Sequence, residues 1–168
     1  PSESHRKRLI GQAPGKWVIA YDGVDPELYV PRREKIPGRV SWTSSPDRGL
    51  HWLLAAYPKI KRAVPWASLK VFYSIETWLQ HFRGNLFDHY EPSIREQAHR
   101  VAYIDRVLPQ LKTMGVEVAG GVSRRRIVEE VSITECVAYT CDTVLWSEGF
   151  SCSLMEACAA WAGPVTTA

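Results

Sequence analysis

The sequence predicts an α/β domain in three layers, a parallel sheet of about six strands between two layers of helices. Three observations predict it. Short β-rich runs alternate with helical patterns along the whole chain, the arrangement that generates crossover connections and parallel strands. The length of 168 residues, with 45% hydrophobic residues and seven tryptophans, suits one well-buried core and is too short for two domains of ordinary size. No internal repeat or low-complexity linker divides the chain, so residues 1–168 read as a single domain.

The first predicted strand is Trp17–Tyr21 and the second is Arg39–Ser44. After Arg48-Gly49, the apolar residues Leu50, Leu53, Leu54 and Tyr57 recur at helical spacing, and Pro65 closes the segment. Ser68–Tyr73 is the third strand. The stretch His81–Glu91 lacks either period and is expected to be a long loop, its histidines His81 and His89 lying at the surface. From Ser93 onward, Ile94, Ala98, Val101, Ile104 and Leu108 form one helical stripe, with a bend expected at Pro109 and a stop at Gly115. Val116–Gly120 is the fourth strand, and Ser123 is placed to cap the helix that follows it. Cys136–Cys141 is the fifth strand. The last helix starts between Ser151 and Ser153 and is expected to bury Leu154, Ala157, Cys158 and Trp161, before a sixth strand at Pro164–Thr167.

Charge and composition exclude several classes of function. The net charge is +3, and the cations cluster at His5–Arg8, Arg32-Arg33 and Arg124–Arg126, which suits an anionic ligand without demanding a nucleic-acid-binding stripe. No apolar run approaches the roughly 20 residues that cross a bilayer, and the N-terminus carries no apolar core of the kind found in a secretory signal. A soluble, cytoplasmic protein is expected. The four cysteines, Cys136, Cys141, Cys152 and Cys158, do not converge on one ion. The first two face opposite sides of a strand and the last two lie about 120° apart around a helix, so small apolar thiols in a reducing compartment are expected rather than a metal site.

Ligands of open parallel sheets sit beyond the carboxyl ends of the strands, among loops and helix N-termini. Polar loops follow the strands here: "TSSPDRG", "GGVSRRR" and "LWSEGFS". The helix start after Glu148-Gly149-Phe150-Ser151 would offer free N–H groups and a positive dipole end to a phosphate, with Arg48 as countercharge. Glu148 and Glu156 would then accept hydrogen bonds from hydroxyl groups, pointing to a ligand with phosphate and sugar parts. For Glu156 a second reading stays open. Ser153-x-x-Glu156 matches a capping box, contributing about 1 kcal/mol to the helix start. The chain has no Gly-x-Gly-x-x-Gly fingerprint, no Gly-Lys-Ser/Thr phosphate loop, no Gly-x-Ser-x-Gly elbow and no His-Glu-x-x-His pair.

The segments "DGVDPELY", "SSPDRGLHWLLAAYPKI", "LKVFYS", "VEVAGGVSRRRIVE" and "SEGFSCSLMEACAAWAGPVTT", in that order, resemble the donor-binding half of retaining nucleotide-sugar glycosyltransferases with the two-domain B-type fold. The similarity spans about Tyr21 to Thr167. Its most specific part is Glu148 through Glu156 to Gly163-Pro164-Val165. The resemblance implies a Rossmann-like domain in which Glu148 contacts the transferred sugar. The backbone from Gly149, Phe150 and Ser151 to Cys152 and Ser153 would meet sugar and diphosphate, and Glu156 would hold the ribose. It further implies that Arg48 binds the diphosphate, Gly121 and Val122 approach the base, and Gly23 lies near an interdomain cleft. Two positions depart from the family pattern: Thr43 stands where an Arg is usual, and Asp22 where an Asn is usual.

Such an enzyme would transfer a sugar from a UDP-, GDP- or ADP-sugar with retention, the leaving diphosphate being stabilised by Arg48 and helix N–H groups, without a metal or other cofactor. The chain lacks an initiating Met and ends at a strand, so it is expected to be part of a longer protein. An N-terminal domain would receive the acceptor, a glycan, lipid or protein, and the chain alone is expected to bind donor weakly without transferring it. Two other classes share the architecture: a nucleotide-sugar epimerase or sugar phosphorylase, and a non-catalytic interaction module.

Overall fold

The structure, a computed structural model, describes residues 23–29, 33–82, 92–142 and 151–167. Five strands form one sheet: β1 (Ile36–Trp42), β2 (Ser68–Val71), β3 (Val116–Val118), β4 (Thr134–Tyr139) and β5 (Gly163–Thr166). Their order is β3-β2-β1-β4-β5, and every pairing is parallel. This is the predicted α/β, Rossmann-like fold. The further strand expected at Trp17–Tyr21 lies outside the described residues.

The helices are α1 (Leu50–Ala63), α2 (Ile75–Phe82), α3 (Pro92–Thr113), α4 (Arg124–Ser132) and α5 (Cys152–Ala159), with single 3-10 turns at Pro26–Tyr29 and Pro46–Arg48. α1 forms where expected, and its stripe of Leu50, Leu53, Leu54 and Tyr57 is fully buried. α3 buries Ala98, Val101, Ile104 and Leu108 as the spacing requires and adds Leu111. It runs through Pro109 to Thr113, and Gly115, the expected stop, follows with φ +99. α2 has no counterpart in the sequence reading. It takes in His81 and Phe82, so the expected loop begins inside a helix, and residues 83–91 lie outside the described part.

Strand alternation divides the two faces of the sheet. Val40, Trp42, Leu69, Val71, Val116 and Val118 join α1 and α3 in the larger apolar cluster. Each such side chain contributes about 1.5–3 kcal/mol when fully buried. On the opposite face, Arg39, Lys70 and Glu117 replace the apolar residues that usually cover a parallel sheet on both sides. α4 meets them with Glu130, which lies 3.4 Å from Arg39 and 3.0 Å from Lys70, and also pairs with Arg126. Glu117 takes the far side of Lys70 at 3.1 Å. This half of the second layer is therefore ionic. Its apolar half lies over β4 and β5, where Tyr29, Val131, Val137, Ala157, Ala160 and Ala162 pack together.

Two local features set register and helix ends. Between Ile36↔Thr134 and Val40↔Cys136 the β1–β4 pairing shifts, across Pro37, which has no N–H to donate, and Gly38, which has φ +72. The Gly38 N–H donates instead to the Glu135 carboxylate. Lys35 donates to the carbonyls of Ser132 (2.9 Å) and Ala160 (2.6 Å), closing the C-terminal ends of α4 and α5 with one ammonium group. Its pKa is lowered by burial.

Candidate functional site

The chain leaves β1 toward β2 on one side, while β4 arrives on its other side by a crossover from β3, so the strand order reverses between β1 and β4. Such a switch point opens a crevice at the carboxyl edge of the sheet. Because each helix returns the chain for another parallel strand, α1, α4 and α5 all begin at this edge.

The loop after β1 is tightly built. Trp42 donates its indole N–H to the Ser44 carbonyl at 2.6 Å, and the Ser45 hydroxyl donates to the Asp47 carboxylate. Pro46–Arg48 makes one 3-10 turn, and Gly49, at φ +103, turns the chain into α1. The end of β4 is stitched to this turn: the Thr140 hydroxyl donates to the Gly49 carbonyl (2.6 Å) and the Asp142 N–H to the Arg48 carbonyl (3.3 Å). Arg48 is thus held by its backbone beside the switch point, as its sequence position suggested.

Asp142 links three elements. Its carboxylate accepts from the Trp52 indole at 2.7 Å, pairs with Arg100 at 3.1 Å and faces His51 at 3.9 Å, while Arg100 also donates to the Asp142 carbonyl at 2.6 Å. The Trp52 hydrogen bond lowers its pKa, against the raising effect of burial and with further lowering by Arg100 and His51. Burial and the Arg100 charge lower the His51 pKa, while Asp142 and Glu96 raise it. Buried at this edge, Thr43 Oγ1 and His51 Nδ1 have no hydrogen-bond partner among the described residues.

A depressed carboxylate pKa contributes stability that is complete above the unfolded value, about 3.9, and is lost as pH falls through the folded value. Asp142→Asn is therefore expected to flatten the acid limb of the stability curve. Urea unfolding between about pH 5 and pH 2 should show a smaller loss for the variant than for the parent protein. Equal losses would mean that Asp142 does not hold the β1 and β4 loops together.

α5 starts within the expected Ser151–Ser153 window. Ser151 is the N-cap, its hydroxyl accepting from the Leu154 N–H at 3.4 Å, and Cys152 is the first helical residue. Ser153 is therefore inside the helix, and the Ser153–Glu156 capping box does not form. The same register changes the buried stripe. Ala157 is buried with Glu156 and Ala160 and Leu154 is half-buried, whereas Cys158 is exposed and Trp161, turned outward at φ +57, is 63% exposed.

Glu156 is 4% exposed, and its Oε1 pairs with Arg124, the first residue of α4. Ser123 caps α4 as the sequence predicts, accepting from the Arg126 N–H at 3.3 Å. The Arg124–Glu156 pair brings the loop containing Gly121 and Val122 against the helix containing Ser151, Cys152, Ser153 and Glu156. Gly23 precedes the 3-10 turn that packs Tyr29 on α4 and α5. A Cβ at Gly23 would meet nothing within 4 Å, and one at Gly121 only Ser74 at 4.0 Å, so neither glycine is required by packing among the described residues. Glu148, Gly149, Phe150 and Asp22 lie outside the described residues.

Sequence reasoning read Arg124 as one of a run of surface cations, and did not single out His51, Arg100 or Asp142. No spacing signal joins Arg124 to a carboxylate 32 positions later or Arg100 to one 42 positions later. An apolar cleft of about 480 Å³ lies beside α5, lined by Val24, Leu154, Met155, Cys158, Pro164 and Thr166. Among the described residues, no group of three or more His, Cys, Asp or Glu side chains is gathered to hold a metal, and no helix is long and apolar enough to cross a membrane. No known family model matches the chain, and no curated protein is significantly similar to it.

Proposed function

We propose that this domain binds a nucleoside diphosphate sugar and serves as the donor half of a retaining glycosyltransferase. The observation that carries this reading is a shared edge. The switch point between β1 and β4 sets the Arg48 turn beside the carboxyl end of β4, and α5, with Ser151 to Glu156, starts from that same edge. Arg48 and the N–H groups at the start of α5 would bind the diphosphate and stabilise it as it leaves. Glu156 would accept from the ribose, Gly121 and Val122 would border the base, and Glu148 would contact the sugar. In the full-length protein, the acceptor hydroxyl would be supplied across a cleft near Gly23 by a second domain.

Titration calorimetry of the chain with UDP, GDP and ADP tests the proposal, and binding of one base in preference to the others is the expected result. Glu156→Gln should weaken that binding about tenfold, the usual consequence of neutralising a hydrogen-bonded charge, while lowering the melting temperature only slightly. A large fall in melting temperature with unchanged affinity would reduce Glu156 to a structural partner of Arg124. A non-catalytic module is the competing reading, favoured by Thr43, which brings no cation to the β1 end. No binding of any of the three nucleotides at millimolar concentration would decide for it.

A further inference from the structure

We infer that Arg124 is the positioning residue of the ligand site: it holds the Glu156 carboxylate aimed so that its second oxygen reads ribose hydroxyls. The inference rests on the donor-binding reading. Glu156 lies in the second turn of α5, beyond the N–H groups of the helix start, where Ser151 accepts from the Leu154 N–H. A carboxylate buried to this degree is costly without compensation, and Arg124 supplies it through Nη1 to Oε1. No partner holds Oε2 among the described residues. One oxygen is thus anchored and the other left to accept.

Arg124 is itself suited to this task. It directly follows the Ser123 cap, so its backbone is fixed by the start of α4, and its side chain is 54% exposed, extending from the edge of the fold to a buried acid. Tyr29 packs within reach of the Arg124 charge, and its buried hydroxyl has no partner among the described residues. Val122 precedes Arg124 by two residues, so a single guanidinium connects the loop proposed to border the base with the acid proposed to hold the sugar ring. Loss of Arg124 would leave Glu156 free to rotate, and hydroxyl recognition would go with it.

The test compares ADP, GDP and UDP with their 2′-deoxy counterparts, by calorimetry, on the unmodified chain, Arg124→Gln and Arg124→Lys. The unmodified chain is expected to prefer the ribonucleotide by about tenfold. Arg124→Gln should reduce that preference to about threefold or less, and Arg124→Lys should retain part of it because the charge remains. Arg124→Lys should melt close to the parent, whereas Arg124→Gln, which leaves a buried carboxylate unpaired, should melt lower, so the ribose preference is read at a temperature where each variant is folded. An undiminished ribose preference in Arg124→Gln overturns the inference while leaving nucleotide binding intact. Absence of nucleotide binding by the unmodified chain overturns the donor reading and this inference together. If Arg124→Gln fails to fold, an undiminished preference in Arg124→Lys, whose ammonium cannot reproduce the planar contact, likewise decides against it.

Discussion

Glu130→Ala is expected to destabilise the domain by about 3 kcal/mol, the lower end of the range for breaking a buried ion pair. Glu130 is 3% exposed and joins Arg39 of β1, Lys70 of β2 and Arg126 of α4. Removing it leaves cations of two neighbouring strands facing each other beneath a helix. Arg126 is half exposed and turns into water at little cost, whereas Lys70, with only 12% of its side chain exposed, is more confined. For a domain of this size the loss corresponds to a fall of roughly 6–12 °C in melting temperature. Adding Lys70→Met to Glu130→Ala should recover part of the loss, because one of the two strand cations that face each other is removed. A change below about 1 kcal/mol for Glu130→Ala would mean that water, not Glu130, solvates these cations.

Gly49→Ala is expected to cost at least about 3 kcal/mol, combining backbone strain with a steric clash. At φ +103 an L side chain is strained in any surroundings, and here there is no room either. The added Cβ would lie 3.0 Å from Thr140 Oγ1, 2.9 Å from its carbonyl carbon and closer still to its carbonyl oxygen. To relieve the contact the β1 turn must separate from the end of β4, breaking the Thr140–Gly49 and Asp142–Arg48 hydrogen bonds. Molecules that remain folded should also lose affinity for nucleotide, since Arg48 moves with the turn. Urea unfolding measures the first effect, with Gly121→Ala as a stability control whose added Cβ has space, and calorimetry measures the second. Parent-like stability in Gly49→Ala would show that the two loops are free to separate.

Much of the fold was legible because its signals are local. Leu50, Leu53, Leu54 and Tyr57 repeat at the period of a helix, and the alternation in "RVSW", "SLKV" and "VEV" is that of a strand with two unlike faces. Ser123 and Gly115 mark a helix start and a helix stop by their own chemistry. α2 was passed over because Ile75–Phe82 is short and its apolar residues resemble the run that continues β2. In α5 two serines offered equally good caps. The Ser153-x-x-Glu156 spacing offered a capping box and helical periodicity a buried Cys158 and Trp161; with Ser151 as the cap the box does not form, both residues are exposed, and Glu156 lies against Arg124.

The sequence by itself determined the α/β class, the order of five strands and four of the helices along the chain, and the clustering of polar loops after the strands. These follow from periodicity and turn chemistry, which act over a few neighbouring residues. Only the tertiary structure decided which strands lie side by side, that the sheet reverses between β1 and β4, and which charges meet. The Glu130 cluster, the Asp142 junction and the Arg124–Glu156 pair each unite residues from separate elements, and no local pattern encodes such a meeting. Packing and desolvation select those partners: a charge carried into a buried position must meet its counterpart wherever the fold brings one within reach.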